Sequence, residues 1–210
     1  MHLAFSFPRV LVERLPLGSC FHTGRFDGPP RGKPLGVPQN NSEGIFKLGE
    51  PLAEIVGFGA SCDGYRLTDT PPDGNGIARS MQAALADARL VPEEIDYINA
   101  HGTATPQNDV SETWAIKAVF GAHGAKLPVS STKSMAGHMV AAAGAMEAAI
   151  CVLGLRNGLV FATATLRESD PQCDLDYVPG ACRERALRKA LSNSCGLGRQ
   201  NGTLIFRVWR

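Results

Sequence analysis

Two short runs of this sequence set proton-handling side chains among turn-forming residues. Asn99-Ala100-His101-Gly102-Thr103-Ala104-Thr105-Pro106 carries one imidazole, with Asn108-Asp109 close behind; Ser130-Ser131-Thr132-Lys133-Ser134-Met135-Ala136-Gly137-His138 carries a lysine and a second imidazole. A neutral histidine can donate a hydrogen bond to a carbonyl oxygen that gains negative charge during a reaction. A third run, Ala141-Ala142-Ala143-Gly144-Ala145-Met146-Glu147, holds one carboxylate in an apolar stretch. Burying that charge alone would cost several kcal/mol, and Lys133 is the nearest candidate counter-ion. The fourth run is Asn193-Ser194-Cys195-Gly196-Leu197-Gly198.

Each feature also has a plainer reading. A histidine at a helix start is usually a surface polar group, and a Gly/Thr turn can simply connect a strand to a helix. A metal site would need His101 and His138 to converge with Asp109 or Glu147, at a spacing unlike the HExxH pattern, so a metal-dependent hydrolase ranks last and no metal is expected. The six cysteines (Cys20, Cys62, Cys151, Cys173, Cys182, Cys195) form no CxxC pair, which points to reduced thiols and neither a zinc site nor a disulfide framework. Cys151 falls within the apolar stretch, where thiols are usually inert.

The elements that must position these groups are legible after residue 50. Residues 53–58 and 95–100 read as strands, and a helix over 76–88 puts Ile77, Met81, Ala84, Leu85 and Ala88 on one face. Asn108 or Asp109 can cap a second helix running to Phe120, with Val110, Thr113, Trp114 and Ile116 on its inner side. A strand over 127–130 precedes a helix over about 137–156 that ends at Asn157-Gly158. That helix is apolar on nearly every face, which predicts burial, and His138 at its N-terminal end should stay neutral against the helix dipole. Strands over 159–165, 190–194 and 203–209 complete an α/β pattern with a mainly parallel or mixed sheet. His101 and Lys133 then follow two strands at the same sheet edge, where such folds bind ligands.

Residues 1–50 lack a sustained period and are broken by Gly28-Pro29-Pro30 and Asn40-Asn41, so an irregular or disordered segment is expected there, with the domain proper at 51–210. A formal net charge of +1 gives no reason to expect nucleic acid as a partner. The longest apolar stretch, 139–155, contains Glu147 and falls short of a membrane span. A soluble, cytoplasmic protein is the expectation.

Together the four runs resemble the C-terminal half of the type I/II β-ketoacyl-ACP synthases, with their thiolase-like fold. The resemblance spans about three quarters of the chain, from residue 51 on, and HGTxT, STKSxxGH and a downstream GxxE in combination are highly specific. It implies an acyltransferase of fatty-acid biosynthesis and lipid metabolism that condenses malonyl-ACP decarboxylatively with an acyl group, without a cofactor. His101 and His138 would contact the malonyl thioester carbonyl and stabilise the enolate. Lys133, paired with Glu147, would orient and polarise the site, and Thr103 and Thr105 would hydrogen-bond the phosphopantetheine arm. The implied partners are acyl carrier protein carrying malonyl and acyl groups, and either a second copy of the chain or a missing N-terminal half.

The sequence departs from the family in two places. The nucleophilic cysteine belongs to the N-terminal half, and the surroundings of Cys20 do not match its motif, so the expectation is a truncated synthase without its nucleophile. Leu197 stands at the position of an aromatic gate, and Cys195 and Arg199 also replace family residues. The alternative is a non-catalytic carrier-binding or subunit-pairing module. In either case an apolar face of the 137–156 helix would be left exposed unless a partner covers it.

Overall fold

The computed structural model describes residues 51–65, 70–196 and 200–209, together with the backbone of residues 11–13. Strand β1 (Leu11–Glu13) falls inside the segment expected to be irregular and lies antiparallel beside β2 (Pro51–Cys62). Helix α1 (Asn75–Ala88) buries Ile77, Met81, Ala84 and Leu85, the stripe its period predicts. Strand β3 (Tyr97–Asn99) leads through the His101 turn into α2 (Pro106–Gly124), and β4 (Val129–Ser130) leads into the single-turn α3 (Lys133–Ala136). A 3-10 turn at Val140–Ala142 then opens α4 (Ala143–Asn157), closed by Gly158 in the left-handed region at φ 61°. A small ribbon of β5 (Leu159–Val160) and β6 (Arg183–Glu184) precedes the final strands β7 (Lys189–Cys195) and β8 (Gln200–Val208).

The six-stranded sheet has the order β1-β2-β8-β7-β3-β4. Pairing is antiparallel along β1-β2-β8-β7 and parallel along β7-β3-β4, so the sheet is mixed, with parallel pairs only on one side. β8 alone separates β2 from β7. Consequently β2, β7, β3 and β4 all run the same way, and their C-terminal ends share one edge.

Side-chain alternation sends the two sheet faces into two cores. Ile98, Leu191 and Ile205 join Ile77, Met81, Ile116 and Phe120 beneath α1 and α2. Their neighbours Tyr97, Ala190 and Phe206 join Cys151, Val152 and Leu155 of α4 on the other side. The result is three layers, with α1 and α2, then the sheet, then α4.

Several expectations need correction. Helix α2 starts three residues early, with Thr105 as N-cap and Pro106 in the first turn, where proline's missing N–H does no harm. Its buried face runs through Asn108, Ser111, Glu112, Ala115 and Ile116, which leaves Trp114 exposed. The continuous helix over 137–156 does not form either. Gly137 and Val140 adopt positive φ, so the chain breaks between α3 and α4, and His138 sits in that break, exposed, five residues before α4 begins. Finally, α4 is buried not on nearly every side but on one face, through Ala143, Glu147, Cys151, Val152 and Leu155, and its outer side is exposed, as expected where no partner covers it.

By length and composition Val140–Asn157 could cross a membrane, with a mean hydropathy of 1.3. Here it packs on β7, β8 and β2 and carries the buried Glu147, which marks the core-facing helix of a folded domain.

Candidate active site

The parallel ladder of β3 and β4 ends at the bond from the Ala100 N–H to the Ser130 carbonyl, 2.9 Å, and both reactive turns leave the sheet there. His101, just past β3, is buried at 6% exposure. His138, beyond α3, comes back to meet it. The ring centroids are 5.5 Å apart with the rings nearly perpendicular at 84°. The two imidazoles, 37 positions apart in sequence, form one pair.

Their environments differ. Burial, then the nearby Lys133 ammonium and the His138 ring, push His101 down to about 3, so it is a neutral imidazole at physiological pH. Its Nδ1 is buried without a hydrogen-bond partner. The Val140 N–H donates to His138 Nδ1 at 3.1 Å, which selects the tautomer with the proton on Nε2. His138 can therefore donate from Nε2.

Lys133 and Glu147 form a buried ion pair, with side-chain exposures of 7% and 3%. The Ser194 hydroxyl donates to the other Glu147 oxygen at 3.3 Å, so β7 helps to hold the pair. Lys133 also lines the open cleft of about 700 Å³ beside the histidines, together with His138, Thr103, Thr105 and Thr163. The Thr103 and Thr105 hydroxyls bond each other at 2.9 Å at its exposed rim. Leu197, the expected gate position, lies outside the described residues, as does Cys20.

Sequence reading missed Glu112. Its carboxylate accepts from the His101 and Gly102 N–H groups, both at 2.9 Å, and from Asn193 Nδ2 at 3.1 Å. Burial pushes the Glu112 carboxyl up, against the pull of these donors and of Lys133. The signal was present: Glu112 shares a helix face with Ala115 and Ile116, so it is a charge on an apolar stripe, as Glu147 is. Asp109 is half-buried in the cleft wall. Burial raises its carboxyl too, opposed by Asn108 and by the Ala104 and Thr103 N–H groups.

Two of the four non-glycine residues with positive φ among the described residues, Ala104 at 59° and Val140 at 49°, fall in the two histidine turns. For a β-branched residue such as Val140 this conformation is strained, and strain of this kind gathers at functional sites.

Among the described residues no group of three His, Cys, Asp or Glu side chains converges as a metal site. Glu147 is committed to Lys133, so the donor set for the metal reading does not assemble. Burial pushes Cys151 up to about 12, and it also raises Cys173 and Cys195.

Comparison with known proteins gives a consistent answer. Residues 52–167, more than half of the chain, match the family described as "Beta-ketoacyl synthase, C-terminal domain". The chain is 50% identical over 153 residues to 3-oxoacyl-[acyl-carrier-protein] synthase 2 of Coxiella burnetii, covering 73% of this chain and 37% of that protein. Among solved structures it superimposes with a TM-score of 0.78 and 34% identity on a type II polyketide ketosynthase in complex with its acyl-carrier protein, covering 81% of this chain and 42% of that one. It also matches the ishigamide ketosynthase/chain length factor, with a TM-score of 0.75 and 38% identity, covering 80% of this chain and 41% of that one. The chain thus spans well under half the length of the relatives it matches. A pair of imidazoles, one of them buried, at the shared edge of a mixed sheet and a match of this extent lead to one conclusion: the chain belongs to the β-ketoacyl synthase family, carries its C-terminal domain and has the corresponding part of the thiolase-like fold.

Proposed function

We propose that the chain supplies the malonyl-thioester half-site of a decarboxylative Claisen condensation, the reaction of β-ketoacyl-ACP synthases. One observation carries this reading: neutral His101 and the Nε2–H tautomer of His138 stand edge to face at 5.5 Å beside the cleft that His138 lines. Loss of CO2 from a malonyl thioester leaves its electron pair in an enolate. Imidazole N–H donors placed at the thioester oxygen favour that charge and need no proton of their own to be lost. Burial keeps His101 neutral, and Lys133, fixed by Glu147, adds to that with its positive potential. Thr103 and Thr105 at the rim suit the amide-rich phosphopantetheine arm of an acyl carrier protein, and the carrier-bound ketosynthase neighbour supports that partner. The acyl group must come from a thiol outside the described residues, because the described thiols at the site are held protonated. With a soluble carrier as partner, the reaction belongs to fatty-acid or polyketide synthesis in the cytoplasm.

The test supplies malonyl-ACP and acyl-ACP and identifies products by mass spectrometry. Acetyl-ACP formed by the unaltered chain and lost in both His101→Ala and His138→Ala supports the reading, and a β-ketoacyl product extends it to full condensation. Absence of both products would favour a second reading, a non-catalytic carrier-binding or subunit-pairing module. The exposed outer face of α4 and the ketosynthase/chain length factor neighbour speak for that alternative.

A further inference from the structure

We propose that Ser131 is a positioning residue that sets the separation of the two histidines; this rests on the reading that both imidazoles act on one thioester carbonyl. Backbone pairing of β3 with β4 stops at the bond from the Ala100 N–H to the Ser130 carbonyl. Beyond it the two chains diverge, one into the His101 turn and the other towards Lys133 and His138. The Ser131 hydroxyl then donates to the Gly102 carbonyl at 2.5 Å, a side-chain rung added past the last backbone rung. The contact is close on the apolar side as well. A Cβ at Gly102 would lie 2.5 Å from Ser131 Cβ, and Gly102 has φ +38°, so this turn admits only glycine against this serine.

Both partners of the bond are themselves held. The Gly102 turn is gripped on its N–H side by Glu112, so Ser131 completes the clamp from the carbonyl side. Ser131 is anchored by its own N–H, which donates to Thr163 Oγ1 at 3.1 Å, and its carbonyl accepts from the Ser134 hydroxyl at 2.8 Å. The Ala164 N–H in turn donates to Ser134 Oγ at 2.9 Å. The segment 163–164 thus braces the Lys133 turn, and Ser131 passes that bracing to the His101 turn. The Thr132 hydroxyl adds a second side-chain link between the same two segments, donating to Asn99 Oδ1 at 3.2 Å, but it acts before the turn that carries His101. Ser131 thereby ties the His101 turn to the segment that leads through Lys133 to His138.

Ser131→Ala removes the rung and leaves the backbone bonds intact, while Ser131→Thr keeps the hydroxyl. Decarboxylation of malonyl-ACP and nuclear Overhauser contacts between the His101 and His138 ring protons are measured for the unaltered chain and both variants. The expected result for Ser131→Ala is a kcat about ten- to a hundredfold lower with KM within about twofold, as misplacement of reacting groups produces. The ring-to-ring contact weakens with it, and Ser131→Thr restores both. Unchanged kcat in Ser131→Ala, or a ring contact as strong as in the unaltered chain, overturns the proposal. If the unaltered chain releases no CO2, the functional reading fails, and the ring contact alone decides the role of Ser131.

Discussion

At the residue scale the two buried carboxylates do different work. Glu147 neutralises a lysine, whereas Glu112 spends both oxygens on backbone and amide N–H donors. Glu112→Gln keeps the size but turns an NH2 group towards one of those donors, which leaves a buried N–H unmatched. A loss of about 1–3 kcal/mol in denaturant unfolding is expected. His101 makes a prediction in pH. Its folded-state pKa is lowered to about 3, below the ordinary value of about 6.5, so its contribution to stability is present above about pH 6.5 and is lost as pH falls towards 3. The slope from this group reaches at most about 1.4 kcal/mol per pH unit. His101→Asn, compared with the unaltered chain across that window, should flatten the fall in stability; parallel curves would show that His101 titrates freely.

At the element scale, α1 lies so close to β2 that side chains are absent where they touch. A Cβ at Gly59 would stand 2.0 Å from the Ser80 carbonyl oxygen and 2.5 Å from the Ala84 nitrogen. Neither backbone atom can yield without moving the helix. Gly59→Ala is expected to destabilise by about 1–3 kcal/mol, read as a lowered melting temperature. A melting temperature equal to that of the unaltered chain would mean that α1 slides freely on the sheet. The effect should extend to the site, because Ser80 also bonds Thr203, which bonds Asn193, a partner of Glu112.

At the scale of the whole molecule, the third layer is half a layer. Met135, Met139, Val140, Met146 and Leu153 are 38–75% exposed along the outer side of α4 and the turn before it. Apolar side chains exposed together on one side of a helix favour association. Light scattering should show dimers or larger species, with a hydrophobic dye bound. Leu153→Lys together with Val140→Glu should reduce both while far-ultraviolet circular dichroism stays unchanged. A dye-free monomer of the unaltered chain would refute it.

The sequence alone determined the periodic elements and which side chains gather at the candidate site. The stripe of α1, the stop at Gly158 and the edge shared by His101 and Lys133 follow from local periods and from the direction of strands, which short-range sterics set. The partnership of Lys133 with Glu147 was legible because a charge in an apolar helix requires one. The break at residues 137–142 and the buried face of α2 were decided by tertiary structure. Each depends on what packs against the segment, and an alanine-rich helix has the same local pattern whether one face is covered or all are. Glu112 escaped notice for a related reason. Its partners are backbone N–H groups that every residue owns, so no residue type announces them, and only the fold brings the His101 turn over α2.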